Sequence, residues 1–197
     1  VDAVRRRAAA AIVLLLGAAG CTSRPIAGSP AGRAGPPAVV HSAAPAAGRP
    51  ASFTLIVRTG HGELAAHVAP MSVPSGRPVD PPHRTPAEWN TAVWLIGASD
   101  PAHPSGTTYV YGHACHHHAC PFTRLHEAGT GDVVLVVTAN GVQRYRVERI
   151  GYVAKAAGVL PGWASDSTAT GRIVLVTCAY EHGDVSTQNL VVVAQQN

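Results

Sequence analysis

The chain has 197 residues, a formal net charge of +4, 46% hydrophobic side chains and only 5% aromatic ones, which allows one domain of ordinary size plus an appendage. Much of the positive charge lies early, at Arg5, Arg6, Arg7, Arg24, Arg33 and Arg49, whereas residues 53–197 carry nine Arg and Lys against ten Asp and Glu. With no basic run interleaved with aromatics, the composition argues against a nucleic-acid partner, and the core must be built from Val, Leu, Ile and Ala.

Residues 1–21 read as a targeting segment: the triplet Arg5-Arg6-Arg7, an apolar run from Ala8 to Ala19, then Gly20-Cys21. The run is too short to span a bilayer comfortably, which favours an export signal. The junction Ala18-Ala19-Gly20-Cys21 resembles a lipoprotein cleavage box, although Ala18 stands where Leu is usual, and it makes Cys21 the lipidation candidate. The competing readings are plain secretion and an uncleaved N-terminal anchor. Residues 22–52 are Ala, Gly, Pro, Ser and Arg almost throughout, a composition that cannot repay its own ordering entropy and so acts as a flexible tether. Both features put the domain at the outer face of the cytoplasmic membrane or in the cell envelope.

From Phe53 onward, β-branched runs alternate with Gly and Pro. Strands are expected at Phe53–Val57, Ala92–Gly97, Thr107–Tyr111, Val133–Thr138, Val142–Val153, Arg172–Thr177 and Leu190–Ala194. Asn140-Gly141 is the strongest hairpin signal. Helical pattern is confined to Pro86–Asn90 and Pro121–Ala128, both opening on a proline. Seven or eight short strands with few helices predict a mostly β domain, barrel or sandwich, over residues 53–197.

Four cysteines are present. With Cys21 assigned to the signal, Cys115, Cys120 and Cys178 remain, so at least one thiol of an exported domain lacks an intrachain partner. Cys115 and Cys120 are close enough in sequence to form a disulfide, which leaves Cys178 free at the end of the run Ile173-Val174-Leu175-Val176. A nucleophile at a strand end is held by the ladder behind it, while a buried core thiol is the plain alternative. His113 ends a second strand, and an imidazole beside a thiol is the usual means of activating it. The cluster Cys115, His116, His117, His118 and Cys120 also permits a zinc or copper site, for which Cys178, His126 or His182 would supply the second arm.

Leu175-Val176-Thr177-Cys178 resembles the Leu-x-Thr-Cys strand end of sortases, the bacterial cysteine transpeptidases. Tyr111-Gly112-His113 resembles their Ala-Gly-His segment, Phe122 and Leu125 before Gly131-Asp132 match a further stretch, and Asn189 to Ala194 resembles the closing strand. The resemblance implies a closed eight-stranded β-barrel, a thioester acyl-enzyme on Cys178 and acid–base work by His113. It implies no cofactor. The implied partners are protein substrates bearing a C-terminal sorting signal and an amine acceptor from the cell wall or another protein, with the membrane engaged through the N-terminal lipid or anchor.

One departure is evident. Sortases carry an Arg near the start of the last strand, and here the neighbourhood reads Ser186-Thr187-Gln188-Asn189, with no Arg or Lys after Arg172. Loss of an oxyanion donor typically costs about 3 kcal/mol of transition-state stabilisation. Asn189 is the favoured substitute, ahead of Gln188 or a distant Arg124 or Arg172. The alternative is a metal-binding or peptide-binding exported lipoprotein that keeps the fold with weak or no catalysis. Thr177, Glu181 and His182 are the groove candidates, Val153–Thr170 is expected to flank the cleft, and Trp89, Trp94 and Trp163 are expected to serve packing.

Overall fold

The computed structural model describes residues 51–74, 77–116, 120–166, 168–179 and 186–197. The signal, the tether up to residue 50, Cys21, His117, His118, Glu181 and His182 lie outside the described residues. The strands are β1 (Phe53–Thr59), β2 (Gly62–Met71), β3 (Thr91–Leu95), β4 (Thr107–Tyr111), β5 (Val133–Thr138), β6 (Gly141–Ala154), β7 (Arg172–Cys178) and β8 (Gln188–Gln196). They close into one barrel in the order β1-β2-β3-β4-β7-β8-β6-β5, which leaves no unpaired edge along the sheet.

Seven of these strands overlap the expected runs, and β2 was not anticipated. Its core-facing side is Leu64, Ala66 and Val68, alternating with exposed Glu63, Ala65 and His67. The period is that of a strand, but alanines dilute it and Pro70 reads as a break. The hairpins β1–β2 and β5–β6 share one construction. Thr59 pairs with Gly62 and Thr138 with Gly141, each threonine hydroxyl donating to the glycine carbonyl at 3.2 Å. The turn after β5 is therefore centred on Ala139-Asn140, one residue earlier than Asn140-Gly141, and Gly141 opens β6 with φ +127, a backbone that favours glycine.

The helices are short. α1 (Pro86–Trp89) has Pro at its start and a capping box in which Glu88 N–H donates to the Thr85 hydroxyl (3.3 Å) and Thr85 N–H to the Glu88 carboxylate (3.0 Å), a reciprocal arrangement that meets two otherwise unpaired donors. The expected helix over Pro121–Ala128 is instead a run of turns ending in one 3-10 turn at Leu125–Glu127. Phe122 N–H donates to the His113 carbonyl and the Cys115 N–H to the Thr123 hydroxyl. These long-range bonds hold the backbone away from a helical course. α2 (Gly162–Ser165) lies between β6 and β7.

Strand alternation produces two cores. Leu55, Val57, Val134, Tyr145, Ile173, Leu175 and Val192 belong to the cluster that fills the barrel, while Val174, Val176, Val191 and Val193 form a second cluster on the outer face of β7 and β8, covered by Leu160, Trp163 and Ala164. Both faces of β7 are thus buried. In β6 the register slips between Val147 and Arg149. This bulge at Glu148 changes which parity faces outward: Tyr145 and Val147 point into the barrel, whereas Arg149 lies over the Trp163 ring (4.5 Å to its centroid) and Val153 packs on the outer cluster.

Gly112 is required by a close approach. A Cβ there would lie 2.8 Å from the Phe122 ring, so Gly112→Ala is expected to lower the unfolding free energy by about 1–3 kcal/mol through overpacking, as chemical denaturation would read. Burial pushes Tyr145 up to about 12 and, with a smaller contribution from Tyr109, does the same to Tyr111, from an ordinary value of 10.0. The folded state therefore holds these protons more tightly than the unfolded chain. That stabilisation is complete below pH 10 and is lost as pH rises toward 12. Circular dichroism should show stability declining across that window, less steeply in Tyr145→Phe.

Candidate active site

β4 and β7 run parallel, with Tyr111 opposite Val176 and the Gly112 N–H donating to the Val176 carbonyl at 3.1 Å. His113, two residues past the end of β4, and Cys178, the last residue of β7, line the same groove. On the other flank of β7, Asn189 of β8 pairs with Cys178, and beyond it Val153 of β6 pairs with Asn189. Three strands thus contribute a transverse row, Cys178, Asn189 and Val153, at one end of the outer face, with His113 just past the end of neighbouring β4. The strands fold this way because their buried valines on both sides fix the register that the row then inherits.

All four residues line one groove of about 450 Å³. Arg77–Pro81 border it, as do Lys155 and Gly158–Leu160, so the segment between β6 and β7 flanks the cleft as expected. Cys178 is partly exposed and is the one free cysteine among the described residues.

His113 is held in place. Its Nε2 lies 3.0 Å from the Pro81 carbonyl oxygen. A carbonyl can only accept, so Nε2 carries the hydrogen and Nδ1 is left as the nitrogen that exchanges protons. The ring packs against Trp89 (centroids 4.6 Å apart) and meets His83 edge-on (5.8 Å). Trp89 therefore packs on the site, whereas Trp94 is buried with its indole donating to the Ala51 carbonyl and Trp163 covers the outer cluster.

Lys155, which the sequence did not single out, is in contact with the sulfur. Its Nζ donates to Cys178 Sγ at 3.2 Å. The residue follows β6 directly, its N–H bonded to the Thr187 carbonyl (2.9 Å) and its carbonyl accepting from Gly158 N–H (3.1 Å). Gly158 closes this turn with φ +67. One signal was available: Lys155 is the single lysine of the chain, and it stands at the end of the longest strand.

Several expected residues are elsewhere. Arg172 begins β7, at the opposite end from Cys178, and is buried. Its guanidinium donates to the Thr107 hydroxyl (3.1 Å) and the carbonyls of Trp163, Ala164 and Asp166 (3.4, 3.3 and 3.0 Å). It pins the α2 segment to the barrel and is not available to an oxyanion. Arg124 is committed to Glu127 (2.7 Å) and the His61 carbonyl (3.0 Å) and does not line the groove. Thr177 borders the groove, but alternation places its side chain with Ile173 and Leu175 on the barrel side, where Oγ1 is buried without a partner among the described residues.

Cys115 and Cys120 are joined by a disulfide, Cα atoms 5.6 Å apart. Both sulfurs are thereby removed from the metal set Cys115, His116, His117, His118 and Cys120, because a disulfide sulfur is no thiolate ligand. Among the described residues no cluster of three His, Cys, Asp or Glu could hold a metal. His126 turns its Nδ1 to the Thr123 carbonyl at 2.9 Å.

A family model described as Sortase domain matches residues 72–197. Among solved structures, the chain is similar to sortase C-1 from Actinomyces oris (19% identity, TM-score 0.53, covering 73% of this chain and 73% of that one). It is also similar to Listeria monocytogenes sortase A (14% identity, TM-score 0.53, covering 74% and 86%) and to Streptococcus agalactiae sortase C1 (18% identity, TM-score 0.55, covering 74% and 66%). At these identities the likeness is one of fold. A search of curated proteins returns no match.

The orphaned Thr177 hydroxyl gives a test of its role. Thr177→Val should raise the unfolding free energy by about 1 kcal/mol by removing a buried unpaired group, with the alkylation rate of Cys178 unchanged. A loss of thiol reactivity would instead assign the hydroxyl to the site.

Proposed function

The chain belongs to the sortase family, and we propose that it acts as a cysteine transpeptidase in which Cys178 is the nucleophile and His113 the acid–base group. The observation that carries this reading is that His113, just past the end of β4, and the paired strand residues Cys178 and Asn189 line a single groove. Attack by the Cys178 sulfur on a backbone carbonyl of a sorting-signal peptide, the thiol proton passing to His113, forms a tetrahedral adduct. The adduct collapses to a thioester as the departing amine takes a proton from His113. His113, now neutral, accepts a proton from the incoming amine, whose attack regenerates the thiol. Water in place of the amine gives hydrolysis.

Asn189 stands across the ladder from Cys178, where its amide would hold the bound acyl segment. The Pro81 carbonyl fixes the tautomer of His113 so that Nδ1 performs both transfers. A protein substrate with a C-terminal sorting signal and an amine acceptor of the cell wall or a second protein are the partners this chemistry requires. We place the enzyme at the outer face of the cytoplasmic membrane or in the envelope, held by a lipid on Cys21 or by its signal segment.

Iodoacetamide alkylation of the full chain across pH, with the site mapped by mass spectrometry, should single out Cys178. Turnover of peptides carrying a Leu-Pro-x-Thr-Gly-like signal or its variants, with amine acceptors, should vanish in Cys178→Ala and fall by about 10²-fold or more in His113→Ala. Unchanged turnover in either variant would sink the assignment.

A further inference from the structure

We propose that Lys155 is the cationic group of this active site, its ammonium holding the oxyanion that forms when Cys178 attacks a carbonyl. The inference rests on the transpeptidase reading above and adds a residue to it. Its observation is geometric: Lys155 Nζ lies 3.2 Å from Cys178 Sγ. In the tetrahedral adduct the oxygen is two bonds from that sulfur. A donor already in contact with Sγ therefore reaches the oxyanion by a small side-chain rotation, with no backbone movement.

The backbone supports the same assignment. The bond from Lys155 N–H to Thr187 O and the Gly158 turn fix where the side chain starts, and the bulge at Glu148 sets the phase of β6 so that Val153 and Lys155 face the groove. The neighbourhood where the family carries its Arg, Ser186 to Asn189, holds no cation. Lys155 stands just past the end of β6, the strand that flanks β8 directly, and comes to the same sulfur from one strand further out. Arg172 and Arg124 are spent elsewhere. Arg77 also borders the groove and is the competing cation.

The step balances without a further reactant. The thiol proton passes to His113 and the sulfur lone pair forms the S–C bond, while the carbonyl π pair moves onto oxygen, where the Lys155 N–H donates to it. The pair then returns, the bond to the leaving group breaks, and His113 protonates the departing amine. Lys155 keeps its proton throughout. An ammonium is a point charge that can follow the charge from sulfur to oxygen, and donors aimed at developing charge are worth about 10²–10³ in rate.

The test compares two reactions of Cys178 in the full chain. Acylation by p-nitrophenyl acetate passes through an oxyanion, and alkylation by iodoacetamide does not. Lys155→Met should slow acylation at least tenfold more than alkylation, and Lys155→Arg should restore most of the difference. Equal slowing of both reactions would mean that Lys155 acts only on the sulfur and would overturn the proposal. So would no slowing, or a selective loss in Arg77→Met or Asn189→Ala in place of Lys155→Met. The chain has one lysine, so the position of the acyl group is also decisive. A hydroxylamine-labile thioester on Cys178 supports the proposal, and a hydroxylamine-stable amide on Lys155 would show a neutral amine nucleophile instead. Wild-type Cys178 that acylates no faster than a free thiol would defeat the transpeptidase reading itself, and this inference with it. Normal wild-type acylation with an unaffected Lys155→Met variant would defeat the inference alone.

Discussion

The site depends on the confinement of β7. Ile173 and Leu175 are locked into the barrel, Val174 and Val176 into the outer cluster, and β4 and β8 hold both edges of the backbone. Nothing along this strand can shift without opening one of two cores. The thiol at its end therefore has a position set by packing rather than by the polar groups around it, which are left free to do chemistry.

Those polar groups arrive from separate strands, each with its own anchor. Gly112 lets Phe122 press under the β4 end, and Trp89, with the Pro81 carbonyl, clamps the imaidazole beyond it. Arg172 fastens the α2 segment through three carbonyls and so stabilises the wall that Leu160 contributes. A buried guanidinium is costly unless its donors are met, and here backbone carbonyls and one hydroxyl meet them. The chain thus uses a buried arginine for architecture and keeps a lysine, with a flexible stem, beside the nucleophile.

The strands that fill the barrel were legible because Val-rich runs announce themselves, and the Cys178 strand end and His113 were legible as the ends of two such runs. Their meeting in one groove was not. Parallel pairing of β4 with β7 joins residues 65 apart, and no local pattern encodes it. β2 escaped notice because Ala65, Ala66 and Ala69 flatten its alternation. The stretch after Cys120 has the helical spacing of Pro121, Phe122 and Leu125, but the bonds that override it come from His113 and Cys115. Lys155 is not legible as part of the site because the family pattern points to the start of β8, whereas this cation stands just past the end of β6.

The extra residue at Glu148 reaches beyond local geometry. A strand without it would carry Arg149, Gly151 and Val153 into the barrel and send the chain's one amine to the far side of the wall. The phase of β6 is thus coupled to the electrostatics of the groove, and insertions or deletions there are not equivalent to those in the Thr59–Gly62 turn. Over evolutionary drift, the length of β6 between Tyr145 and Lys155 should behave as a conserved count, even while the identities of its exposed side chains change freely.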